Sequence, residues 1–311
     1  MLPKHPQFLL FSIFTCALYE PVAAGRREDP DPAGYEHIAD GYFGSVYKEK
    51  RAAGTPHALK RSTRSDRRNT QGMNEINALK QLKHENIISM LSYWEKEVWG
   101  TKRTHVKMEY MPCTLEAAVS DKESYQKIRK NKRKILLQIL KGIFYIHSQE
   151  MAHGDIKPDN ILIDVDTMAV KICDFGLCVD RKSDVYFPGE FEDGHRQDVL
   201  GFCRLMAFVF LGKDVLIGLS VDRGTQGDIS AVFRTEKTDM LSPGEEKLLR
   251  AYRKLGSVLS KDGMDLFLKI LSRKSTDVPG AEELKHPFFE EECELDPSME
   301  QRGDDGGVWV V

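Results

Sequence analysis

A chain of 311 residues with a formal net charge of −3 is long enough for one large domain or for two lobes sharing a cleft. It is too nearly neutral to imply a polyanionic partner such as nucleic acid. Its six cysteines (Cys16, Cys113, Cys173, Cys178, Cys203 and Cys293) fit no zinc spacing, and a chain of this size folds without disulfides, so reduced thiols are expected.

At the N-terminus, Lys4 and His5 precede an apolar run over residues 8–18, and the small residues Val22-Ala23-Ala24 follow. Residues 1–24 read either as a secretory signal peptide, the run being too short to span a bilayer, or as an extension packed on the domain. No other stretch is long and apolar enough for a stable membrane span. Residues 25–34 are charged and proline-rich and read as a linker. From Tyr35 to about Met111 the patterning is mostly strand-like. A strand follows a glycine turn at Val46-Tyr47, and a second ends at Ala58-Leu59-Lys60. Residues 64–69 read as a polar loop. Ile76, Leu79 and Leu82 then recur at helical steps, with Glu75 on the side of Leu79. A further strand is expected over 105–110.

After Pro112 the pattern turns helical. Ile135, Leu136, Ile139, Leu140, Ile143 and Phe144 mark an apolar helix ending near His147. Short apolar runs at 161–163 and 170–172 flank a polar turn and predict a hairpin. Residues 200–211 predict a buried helix, and 243–255 and 263–271 two more. Beyond Phe289 an acidic, Gly-Asp-rich tail, 290–311, reads as disordered. A small strand-rich half before a larger helical half predicts an α+β, two-lobed unit with a cleft between the lobes.

Four motifs carry chemistry. Gly41 and Gly44, three apart, let a backbone turn approach a phosphate without Cβ obstruction. Lys60 at a strand end could reach phosphates and be held by Glu75 on a facing helix. In His153-Gly154-Asp155-Ile156-Lys157-Pro158-Asp159-Asn160, a carboxylate and a carboxamide five residues apart suit proton acceptance and metal binding. Asp174-Phe175-Gly176 follows an apolar strand and offers Mg²⁺ a hard oxygen ligand.

In this order and at these spacings the four motifs resemble those of the eukaryotic protein kinase superfamily, serine/threonine type, from about residue 35 to 289. The resemblance implies a protein kinase fold, with an N-lobe over 35–111 and a C-lobe over 112–289. It implies ATP and Mg²⁺ as cofactors. Gly41, Gly44 and Val46 would cover the nucleotide, with Ala39 where the first loop glycine is expected. Lys60 would pair with Glu75 and the phosphates. Met108 would line the back of the adenine pocket, backbone groups of Glu109 and Met111 would bind adenine, and Val46, Ala58 and Leu162 would sandwich it. Asp155 would be the catalytic base, Lys157 would steady the γ-phosphoryl group, and Asn160 and Asp174 would hold the metal. Leu79, Met90, His153 and Phe175 would stack between the lobes, with Asp198 opening the buried helix beneath them. Lys157, two residues after Asp155, and Ser183 imply transfer to serine or threonine hydroxyls of a protein substrate.

The chain departs from that pattern in identifiable places. Gly154 replaces the arginine that ordinarily binds a phosphorylated activation loop, and Ser183 is the only serine or threonine between Asp174 and Glu190. Activity without activation-loop phosphorylation is therefore expected. Gly189 stands for proline before Glu190, Val278 for the arginine that pairs with that glutamate, and Cys203 for a helix glycine. A buried, unpaired Glu190 would be costly, so it must be solvated or find another cation, Arg273 being a candidate. The alternative reading is a pseudokinase, an ATP-binding scaffold without phosphotransfer. A cytoplasmic or nuclear location is expected, or the secretory pathway if residues 1–24 are cleaved. Substrate and oligomeric state are not specified.

Overall fold

The computed structural model describes residues 32–290, apart from 42–43, 51–53, 63–65, 99–100, 184–188, 214–242 and 272–280. The two readings of residues 1–24, most of the linker, the acidic tail beyond Glu290, and both Arg273 and Val278 lie outside the described residues.

The first half is a five-stranded antiparallel sheet in the order β1-β2-β3-β5-β4. Its strands are β1 (Tyr35–Gly41), β2 (Gly44–Glu49), β3 (His57–Ser62), β4 (Met90–Val98) and β5 (Thr101–Glu109). One helix, α1 (Asp66–Gln81), packs on it. Ile76, Ala78, Leu79 and Leu82 are buried in one core with Ala58 and Val106 of the sheet, the apolar stripe that the three-residue spacing predicted. The helix begins at Asp66, so residues 66–69 are not loop. That first turn carries no apolar residue to mark the helical period. Strand β4 was equally hidden, because residues 91–97 are all exposed at the sheet edge and show no alternation.

The second half is mainly helical. Helix α4 (Lys132–Ser148) buries Ile135, Leu136, Ile139, Leu140, Ile143 and Ile146. Two short helices, α2 (Leu115–Ser120) and α3 (Lys122–Lys130), precede it; Thr114 and Asp121 cap them by accepting backbone N–H bonds from Ala117 and Ser124. The predicted hairpin is β8 (Ile161–Asp164) with β9 (Ala169–Ile172), and β6 (Cys113–Thr114) pairs with β8. A two-residue β7 (Met151–Ala152) pairs with β10 (Val179–Asp180). Helices α6 (Pro243–Gly256), α7 (Lys261–Leu271) and α8 (Ala281–Leu284) complete the half, and Phe288 is buried after them.

The buried helix α5 runs over Glu190–Leu211. It starts ten residues before the expected span, and Asp198 lies in its third turn rather than opening it. The physical reason is compositional. The buried stripe of its first turns is Phe191, Gly194, His195 and Asp198, at helical spacing but with one apolar residue among four.

The two halves are joined by more than the chain. Ile88 N donates to Ile172 O at 2.9 Å, Ile172 N to Asn86 O at 2.9 Å, and Lys83 N to the Tyr145 hydroxyl at 3.0 Å. The α1–β4 connector thus belongs by its hydrogen bonds to the helical lobe. Among the described residues no helix is long and apolar enough to cross a membrane, and Cys113, Cys173, Cys178 and Cys203 are free thiols, each pushed above the ordinary thiol pKa by burial.

Candidate active site

The roof of the cleft is built by strand register. Lys60 lies opposite Val46 on one side and Val106 on the other, and Ala58 lies opposite Met108. The β1–β2 turn closes with Gly41 opposite Gly44. A Cβ on Gly44 would collide with the Arg61 carbonyl oxygen, so the second glycine is required by packing on β3. Ala39, opposite Val46 just past a bulge in β1, is exposed; Tyr42 and Phe43 lie outside the described residues.

Lys60 Nζ sits 2.7 Å from Glu75 Oε2 and 2.8 Å from Asp174 Oδ1. Glu75 is 3% exposed and Asp174 20%. Burial works against the lysine's charge, but the two carboxylates outweigh it and hold its pKa above the ordinary lysine value. Burial pushes the Glu75 carboxyl up. Asp174 also suffers burial, yet Lys60 beside it holds its carboxyl below the usual range. One cation therefore serves two acids, and the outer acid carries its charge the more readily.

The floor is the segment around Asp155. Lys157 Nζ is 2.7 Å from Asp155 Oδ2, and Asn160 Nδ2 donates to the same oxygen and to the Asp155 carbonyl, both at 2.8 Å. With the amide nitrogen so engaged, the Asn160 side-chain oxygen is the atom left for a metal. Asp174 occupies the left-handed region (φ 66°, ψ 70°), a strained conformation for a residue with a side chain. It is followed by the buried Phe175, whose ring meets that of His153 edge-on at 4.8 Å. His153 Nε2 donates to the Cys173 carbonyl at 2.9 Å, tying the two segments together.

Beneath them lies Asp198, fully buried. It accepts from His153 N at 2.7 Å, from Gly154 N at 2.8 Å and from His147 Nε2 at 2.8 Å. Gly154 has φ +79°, and a Cβ there would stand 2.9 Å from the Leu177 carbonyl oxygen. An arginine at 154 would be strained in this conformation. Gly201 of α5 lies so close to the loop that a Cβ would stand 2.5 Å from the Ile156 carbonyl oxygen.

The hinge side holds the rest of the expected set. Met108 and Ala58 are buried, and Val46, Glu109, Met111 and Leu162 are half-buried. Lys60, Glu75 and Asp174 thus meet in one cluster, and Asp155, Lys157 and Asn160 in another. The departures at positions 189 and 203 have a place in the fold. Cys203 is fully buried, its thiol 4.0 Å from the Phe267 carbonyl. Glu190 is exposed, so the cost of a buried lone acid does not arise. Gly189 has φ +95°, which proline cannot adopt.

Two features had no signal in the sequence. Glu116 and Asp159 hydrogen-bond side chain to side chain beside Lys157, and this contact pushes the Glu116 carboxyl up to about 7. His195 packs its ring 3.7 Å from that of His147. Both join residues far apart in the chain.

Among the described residues no group of three or more His, Cys, Asp or Glu side chains could hold a metal. One carboxylate and one carboxamide suit a magnesium ion that takes further oxygens from phosphate and water.

The protein kinase domain family matches residues 34–193. The chain is 30% identical over 157 residues to cysteine-rich receptor-like protein kinase 44 of Arabidopsis thaliana, covering 49% of this chain and 40% of that protein. It is 31% identical over 175 residues to the interferon-induced, double-stranded RNA-activated protein kinase of Rattus norvegicus, covering 51% of this chain and 33% of that protein. The chain thus matches well under half the length of these relatives.

Proposed function

This chain belongs to the protein kinase domain family, and from that premise we propose that it is an ATP- and Mg²⁺-dependent protein kinase acting on serine and threonine hydroxyls. The observation that carries the proposal is the convergence of two charge networks on one cleft: Lys60 shared by Glu75 and Asp174, and Asp155 held by Lys157 and Asn160. Lys60 binds and orients the phosphates, while Glu75 keeps it aimed. Asn160 and Asp174 hold the metal, whose charge offsets that of the phosphates. The hinge backbone at Glu109 and Met111 receives adenine between Val46, Ala58 and Leu162.

The bonds to Asp155 from Lys157 and Asn160 both fall on Oδ2. Oδ1 is then the atom that accepts the substrate hydroxyl proton as that oxygen bonds the γ-phosphorus and ADP departs. Such a base contributes roughly 10²–10⁴-fold, the remainder coming from positioning and electrostatics. Activation-loop phosphorylation is not required in this reading. Its support is Gly154, which offers no cation to a phosphorylated loop and whose left-handed backbone and closeness to Leu177 would strain an arginine there.

The test is transfer of labelled γ-phosphate to casein by the wild type and Asp155→Asn, followed by phosphoamino-acid analysis. Phosphoserine or phosphothreonine from the wild type, reduced roughly 10²–10⁴-fold in the variant, is the expected result. Activity should survive phosphatase treatment. Equal background from both proteins would leave a nucleotide-binding scaffold instead.

A further inference from the structure

The hinge is pinned by a side chain that the chemistry above does not use. Lys171, on β9, is 16% exposed, and its Nζ lies 3.0 Å from Glu109 Oε1 and 3.0 Å from the Glu85 carbonyl oxygen. The same Glu109 oxygen accepts from Ser89 N at 2.7 Å, and Glu109 N donates to Ser89 O at 3.1 Å. Three pieces of chain meet at this point: the hinge, the α1–β4 connector, and a strand of the helical lobe. Lys171 also stands directly opposite Leu162 in the β8–β9 ladder, so the strand that carries the clamp pairs with the strand that carries the floor of the adenine slot.

Adenine recognition by a hinge needs backbone donors and acceptors held at hydrogen-bonding geometry before the ligand arrives; otherwise part of the binding energy is consumed in ordering them. The Glu109 backbone is one of those groups in the nucleotide-binding reading, on which this inference rests. We propose that Lys171 is a positioning residue for the adenine end of the cleft, acting through the Glu109 carboxylate to hold the hinge backbone in register with both lobes. The alternative, an ion pair that only stabilises the fold, predicts no selectivity among ligands.

The test exploits that difference. The full chain is titrated with MgATP and with magnesium tripolyphosphate, which offers the phosphates without the base. Lys171→Met and Glu109→Gln should each weaken MgATP binding by about tenfold, as when a lost preorganising contact must be restored on binding. Tripolyphosphate affinity should stay within about twofold. The double variant should bind MgATP no worse than either single one, because the two residues act as a unit, and Lys171→Arg should recover most of the loss. Equal weakening of both ligands, multiplying losses in the double variant, or unchanged MgATP affinity would overturn the proposal. A wild type that binds neither ligand would fail the nucleotide-site reading itself, and the clamp's role with it; that outcome is read in the unmutated protein and so is distinct. If Lys171→Met does not fold, Glu109→Gln carries the same two-ligand comparison.

Discussion

Two sites in the molecule bury their acids in opposite ways. Where the lobes meet, Glu75 and Asp174 share one lysine cation. In the floor, Asp198 is satisfied by two backbone N–H groups and a histidine ring. A carboxylate closed in by backbone donors is a structural bolt, because nothing that enters the cleft can compete for it. One that faces a shared cation at 20% exposure can exchange that partner for a metal or a phosphate. The roles of acids in this protein therefore follow from what neutralises them and whether a ligand can reach it.

This contrast predicts the largest effect at Asp198. Asp198→Ala leaves His153 N and Gly154 N buried without an acceptor. The expected loss is about 3–5 kcal/mol of stability, with a catalytic segment that exchanges its amide hydrogens freely. Urea denaturation and hydrogen exchange would measure both; a variant of wild-type stability would erase the distinction between bolt and exchangeable acid.

Lys60→Met should behave differently, because its cost depends on pH. Without the cation, the buried Glu75 carboxyl, already pushed up, rises further and takes a proton. A carboxyl whose pKa is higher folded than unfolded costs nothing at acid pH and destabilises increasingly as pH rises from its unfolded value through its folded one. The variant should therefore approach wild-type stability near pH 5 and lose on the order of 3 kcal/mol by pH 8. In the wild type, Lys60 remains charged across that range. A stability gap between variant and wild type that does not change with pH would contradict the shared-cation account.

The smallest effect sharpens the roof alone. Gly72 lies inside α1, one turn before Glu75, and a Cβ there would meet Thr104 at an ordinary 3.5 Å. Gly72→Ala should raise stability by about 0.5–1 kcal/mol through helix propensity, visible as a higher thermal midpoint and slower exchange in α1. A fall would mean that the space behind Lys60 must stay open.

Much of this site was legible in the sequence because its signals are local. Glu75 could be assigned to the side of Leu79 by helical spacing, and the runs flanking residues 164–167 announced the β8–β9 hairpin. Asp155, Lys157 and Asn160 lie within one short motif, and Asp174 ends an apolar strand. What escaped had no period or no proximity in the chain. The first three turns of α5 bury a glycine, a histidine and an aspartate, which no hydrophobic pattern records. Strand β4 is exposed along residues 91–97. The Lys171–Glu109 clamp and the Glu116–Asp159 pair join residues that only the folded cleft brings together, and single like or unlike charges carry no mark of their eventual partners.

The central claim is that the Lys60–Glu75–Asp174 cluster exists to exchange its internal pairing for a metal–phosphate group. Its most direct test is ATP affinity of the wild type and Asp174→Asn, each measured with and without Mg²⁺ by calorimetry. The account predicts that Mg²⁺ tightens binding to the wild type and that most of this gain disappears in the variant. An equal Mg²⁺ gain in both proteins would contradict it.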